Sequence, residues 1–168
     1  ITALGRAGFY LNKKPVEILK SPSGEVVLLD SSGGLFLINE EEQIIPLNGG
    51  VSTLRFDSKG EKMLLQKEKS VEVFWLKDYF YQPFSKKGTL ETILNLPVDI
   101  KNAAWFYGDD MHVLLHTREG ILLTEVDGRG GRNTVELVSG KTDELRTLPE
   151  IPDAIFFRKD KTWYKIAL

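Results

Sequence analysis

Residues 54–76 read LRFDSKGEKMLLQKEKSVEVFWL. An apolar run ends in Phe56, and the polar group Asp57-Ser58-Lys59-Gly60 follows as a tight turn. A second apolar run, Met63-Leu64-Leu65, leads through Lys and Glu into a third run over 71–76 that carries Phe74-Trp75. Runs of this length, rich in apolar and aromatic residues and bounded by turn formers, predict an antiparallel β-meander.

Weaker copies of the pattern flank it. Upstream, strands are predicted over 16–19, 25–29, 35–38 and 44–47, with Ser21-Pro22-Ser23-Gly24 and 30–34 as turns and Glu40-Glu41-Glu42 as a solvated hairpin tip. The central copy takes strands 51–56, 62–66, 71–76 and 92–96, interrupted by an insertion over 77–88. A third copy runs over 100–106, 112–116, 120–126 and 134–138, and the tail offers 144–148, 154–158 and 162–167. Long helical periodicity is missing, so the fold class is all-β.

Three second strands superpose: Val27-Leu28-Leu29, Met63-Leu64-Leu65 and Val113-Leu114-Leu115, each a few residues after a turn glycine (Gly24, Gly60, Gly108). Their spacing of about 36 and then about 50 residues lies in the range of propeller blades once the insertion is allowed for. Consecutive apolar positions mean that both faces of the sheet are covered. Radial blades stacked on one another meet that condition, whereas a sandwich with one wet face would alternate. The expectation is a β-propeller of three to four antiparallel four-stranded blades, over 16–47, 51–96, 100–138 and a partial 144–167. That is fewer than a closed ring of four to eight, so the chain reads as part of a larger propeller with an exposed edge or blade face.

Composition bounds the function. The chain has 168 residues, 42% hydrophobic and 27% charged, as a globular domain does. A net charge of −2 gives no basic footprint for nucleic acid. There is no cysteine, which removes disulfides and thiolate metal sites. No run approaches the roughly 18–20 apolar residues of a membrane span, so no membrane insertion by this segment is expected. The opening ITALGRAGFY lacks an initiator Met and a signal-peptide pattern and reads as the cut end of a longer parent chain, any anchor lying upstream.

Few residues invite chemistry. His112 and His116 have the H-x-x-x-H spacing of a helical zinc site, but four residues of strand span roughly 13 Å, too far for one metal. No metal, cofactor or catalytic residue is expected, and the G-x-S-x-G elbow of a hydrolase is absent. Two loops are distinctive. Residues 74–84, FWLKDYFYQPF, hold six aromatics; Tyr79, Tyr81 and Phe84 are candidates for a platform that stacks on a sugar or peptide, or else cover the outer edge of the blade. Residues 125–133, EVDGRGGRN, offer Arg129 and Arg132 to an anion, or form a glycine-rich turn in which the arginines pair with nearby carboxylates.

The turn Phe56-Asp57-Ser58-Lys59-Gly60 with Met63-Leu64-Leu65 resembles the F-S-P-D-G-K-x-L-L pattern of TolB-like and WD-like propeller repeats, with Ser58 and Lys59 in place of the usual Pro and Asp. Trp75-Leu76 with Tyr81-Gln82-Pro83, then Ala104-Trp105-Phe106, then Glu125-Val126-Asp127 with Arg129 and Arg132-Asn133, resembles the C-terminal propeller region of bacterial PEGA-domain proteins. No PEGA domain lies within these residues. The resemblance implies an extracytoplasmic cell-envelope module without enzymatic activity that binds protein or cell-wall glycan partners. The alternative is a propeller that gates or positions substrate for an enzyme domain elsewhere in the parent chain.

Overall fold

The structure is a computed structural model that describes residues 16–39 and 41–168. The opening stretch and Glu40 of the acidic tip lie outside the described residues. Among the described residues, fifteen strands form four meanders. Blade 1 holds β1 (Val16–Lys20), β2 (Val26–Asp30), β3 (Leu35–Ile38) and β4 (Ile44–Asn48). Blade 2 holds β5 (Thr53–Phe56), β6 (Lys62–Gln66), β7 (Ser70–Trp75) and β8 (Leu90–Asn95). Blade 3 holds β9 (Ile100–Phe106), β10 (His112–Thr117), β11 (Gly120–Glu125) and β12 (Thr134–Ser139). Blade 4 has three strands, β13 (Glu144–Leu148), β14 (Ile151–Lys159) and β15 (Thr162–Ala167). Every pairing is antiparallel between sequence neighbours. In blades 1 to 3 the third and fourth strands pair with a register shift, which bends the outer strand and sharpens its twist.

The consecutive apolar residues serve two cores at once. Met63 and Leu65 of β6 pack with Val27, Leu29 and Leu35 between blades 1 and 2. Leu64, between them in sequence, points the other way and packs with Trp105, Val113 and Leu115 between blades 2 and 3. Leu114 in turn meets Leu145, Ile155 and Phe157 between blades 3 and 4. Each fully buried leucine contributes about 1.5–3 kcal/mol over an exposed one, so a charge at any of these positions would split two blades.

Polar side chains fasten the blades along their first strands. Arg55 Nε donates to the Ala103 carbonyl at 2.9 Å, and Trp105 Nε1 donates to the Arg55 carbonyl at 3.0 Å. The buried Gln66 amide donates to Ile100 O at 2.9 Å and accepts from Ala103 N at 2.8 Å. Asn102 Nδ2 donates to Leu145 O at 3.1 Å, and His116 Nε2 donates to Thr142 O at 3.0 Å. The turns are stitched too. Ser23 Oγ donates to Gly60 O, and the Ser58 amide and hydroxyl donate to Asp110 Oδ2. Gly60 sits at φ +72 with Ser23 N only 2.7 Å from where a Cβ would stand, so both its conformation and its contact exclude a side chain.

Val51 lies ahead of β5 rather than inside it. Its amide donates to Gly33 O at 3.1 Å and its side chain is buried between blades 1 and 2, so it belongs to the crossover. Among the described residues β15 pairs with β14 alone, which leaves its other edge open. Trp163 on that blade is 44% exposed, flanked by the guanidinium groups of Arg146 and Arg158 at 5.1 and 5.9 Å.

Candidate functional site

A meander sends its first-to-second turns and third-to-fourth loops to the same end of each blade. One face of the molecule therefore gathers 21–25, 39 and 41–43 of blade 1, 57–61 and 76–89 of blade 2, and 107–111 and 126–133 of blade 3. Both loops that stand out in the sequence share this face, in consecutive blades.

The blade 2 loop is rooted from below. Phe74 and Trp75 point to opposite sides of β7, Phe74 into the core with blade 1 and Trp75 into the core with blade 3. Tyr79 is half-buried on Trp75, their ring centroids 5.1 Å apart, and bridges back to Ser85 through paired backbone bonds of 2.8 and 3.2 Å. Asp78 Oδ1 accepts from Lys87 N at 2.8 Å, closing the neck. Beneath the root sits Lys62, 2% exposed, its Nζ 2.7 Å from Asp57 Oδ2. The same ammonium lies 5.2 Å from the Trp105 ring and 5.6 Å from those of Trp75 and Tyr79. A buried charge needs a partner, and here one carboxylate and three ring faces supply it. Asp57 is held in turn by the amides of Glu61 and Lys62 at 2.8 and 3.2 Å.

Above the root the loop is bare. Phe80, Tyr81 and Phe84 are 77, 75 and 70% exposed. Tyr81 meets Tyr79 edge-on at 5.8 Å and presents the rest of its surface to solvent. Of the six aromatics in 74–84, three build the root and three project. Tyr79 belongs to the root, whereas Tyr81 and Phe84 belong to the projecting part.

The blade 3 loop is closed on itself. Arg129 folds onto Asp127, donating from Nε at 2.9 and 3.0 Å and from its own amide at 3.0 Å. Those bonds hold the Asp127 carboxyl down to about 2. Arg132 pairs with Glu91 of β8 and donates to Val126 O at 3.3 Å, joining its loop to blade 2. Both arginines thus have acceptors already.

The two histidines serve different bonds. His112 Nδ1 lies 2.6 Å from Asp109 Oδ2 at a turn, while His116 is buried at the junction with blade 4, and burial pushes its imidazole down. Among the described residues no three His, Asp or Glu side chains gather as a metal would require, and no helix is long and apolar enough to cross a membrane. Asp110 escaped the sequence reading. It is 6% exposed, with Oδ1 unpartnered, and burial raises its carboxyl against the bonds from Ser58. Lys62 escaped too; its only signal was an Asp five residues upstream across a tight turn.

Comparison with solved structures settles the architecture. The chain overlays the Cps50 (Swd1) β-propeller domain of Myceliophteria thermophila at a TM-score of 0.58, with 14% identity, over 86% of this chain and 50% of that one. The fold is a β-propeller. It also matches the extracellular domain of the hybrid two-component system BT4673 of B. thetaiotaomicron (TM-score 0.62, 14% identity, 90% of this chain and 20% of that one). YCF48 of Cyanidioschyzon merolae gives 0.59 at 12% identity, over 92% and 51%. The chain thus spans between a fifth and about half of these relatives, so its four blades are an arc. No family model matches the sequence, and no curated protein does.

Proposed function

We propose that this propeller arc is a non-catalytic binding module whose contact element is the blade 2 loop, docking a protein partner through Phe80, Tyr81 and Phe84. One observation carries the reading. Three large aromatic side chains stand 70–77% exposed on a loop whose neck and root are fixed. Exposed rings on a pre-ordered support give contact area at low entropic cost, as at interface hot spots. The resemblance of 75–133 to the propeller region of PEGA-domain proteins supports placement at the bacterial cell envelope, facing outward, with wall glycans as the other partner class. The likeness to an extracellular sensor domain points the same way.

The test is a peptide and glycan array probed with the purified protein and with a Phe80→Ala/Tyr81→Ala/Phe84→Ala variant. The expected result is a set of ligands lost by the variant, each ring accounting for about tenfold in affinity, while its melting temperature stays within error. Ligands held equally by both proteins would remove the loop from the binding site.

A further inference from the structure

Next to the aromatic loop, on the same face, blades 1 and 2 enclose a cleft of about 660 Å³. That volume suits two or three residues of a peptide. Val26, Leu37, Ile38 and Ile45 of blade 1 and Phe74 and Leu76 of blade 2 make its walls apolar. Glu25 stands on the blade 1 lip, and Lys87, from the end of the aromatic loop, on the opposite lip.

Glu25 is built in rather than dangling. Its carboxylate accepts from Ser21 Oγ at 2.8 Å and from Ser23 Oγ, and its amide donates to Ser21 Oγ at 3.0 Å. Burial works against its charge, but the two serine hydroxyls, with a smaller pull from Lys77, hold the carboxyl below the usual range. Among the described residues no salt bridge reaches it. A fixed anion with no ion-paired cation among the described residues, at the mouth of an apolar cleft, is complementary to an apolar side chain beside a positive charge. The surrounding lip adds Glu41 on the same side. Lys87 across the mouth repels a cation there, so the basic group is directed to blade 1.

We propose that the cleft seats an extended peptide that buries one aliphatic side chain against Leu37, Ile45 and Phe74 and sets an adjacent lysine or arginine on Glu25. The proposal rests on the binding-module reading and names the chemistry of its partner. The aromatic rings give that partner area, and the cleft gives it sequence preference.

The probes are three blocked peptides, acetyl-Gly-Leu-Arg-Gly-amide, acetyl-Gly-Leu-Glu-Gly-amide and acetyl-Gly-Gly-Arg-Gly-amide, titrated into the ¹⁵N-labelled protein and followed by amide shifts. The Leu-Arg peptide should move Ser23, Gly24, Glu25, Ile38 and Gly88, and bind about tenfold more tightly than either control. Glu25→Gln, which keeps an oxygen for Ser21 and Ser23, should erase the preference for Arg over Glu. Ile45→Trp, at a 38% exposed wall position, should abolish all three titrations without loss of folding. Equal binding of the three peptides, shifts confined to 80–84, or no shifts at millimolar peptide would each overturn the proposal. The triple alanine variant of the aromatic loop separates the two readings. If it loses its array ligands yet keeps the peptide titration, both stand. If the wild-type loop binds array ligands while the cleft takes no peptide, only the cleft proposal falls.

Discussion

The loop over 76–89 of blade 2 and the loop over 126–133 of blade 3 leave the same end of consecutive blades, and both stand out in the sequence. Folding treats them in opposite ways. The blade 3 loop satisfies its own charges: Arg129 lies on Asp127, and Arg132 on Glu91 and a backbone carbonyl. The blade 2 loop fixes its root on Trp75 and leaves three rings in water. Unusual composition marks both loops, but only one keeps unmet contact surface after the chain has folded. That residue of unmet surface, rather than the composition, is what singles out a docking element.

The comparison breaks most readily at the root. Lys62→Met would leave Asp57 buried, charged and without its cation, and should cost about 3–5 kcal/mol, measured by urea unfolding. The double variant Lys62→Met/Asp57→Asn should recover most of that loss, because the Asn oxygen still accepts from Glu61 N and Lys62 N. Equal instability of single and double variants would mean that the ring contacts, not the ion pair, carry the site. Next comes Tyr79→Ala, which removes the stack on Trp75 and one face of the ammonium box. It should cost about 1–2 kcal/mol and lower binding as well. A binding loss at unchanged stability would place Tyr79 among the contact residues instead.

On the other loop, Arg132→Ala should cost about 0.5–1 kcal/mol, as a partly shielded pair does, with a loss that shrinks in high salt. The smallest effect belongs to Asp127. Its carboxyl should titrate near 2 by carbon NMR and return toward 3.8 in Arg129→Gln. A depressed pKa favours the fold above the unfolded value and loses that contribution as pH falls through about 2. The pair lies at the surface within reach of solvent, which screens it, so melting temperature should not register it. A normal Asp127 titration in the wild type would show that Arg129 is free, and would reopen the loop to anions.

How far the sequence could be read follows from the range of each interaction. The consecutive apolar residues at Leu28, Leu64 and Leu114 were enough for stacked blades, because only a sheet covered on both sides tolerates them. Turn chemistry placed the hairpins, since Gly60 and its neighbours act locally. Gln66 and Lys62 were not legible: each is a polar residue in or beside an apolar run and reads as a wet position. Their partners, Ile100 and Ala103 for one and Trp105 for the other, belong to a blade 34 to 43 positions downstream. The split of 74–84 into root and projection was hidden likewise, since it depends on Lys62 lying under Tyr79. The cleft beside Glu25 exists only once two blades meet.

The Gln66 amide binds β9 in the way an extra peptide unit would, offering one donor and one acceptor to a neighbouring backbone. With Arg55, Trp105, Ser58 and Arg132 it makes the seam between blades 2 and 3 the most heavily riveted of the arc. Under pulling or protease the molecule would therefore part on either side of that seam first, and the piece to survive longest would be the pair of blades that carries the aromatic loop.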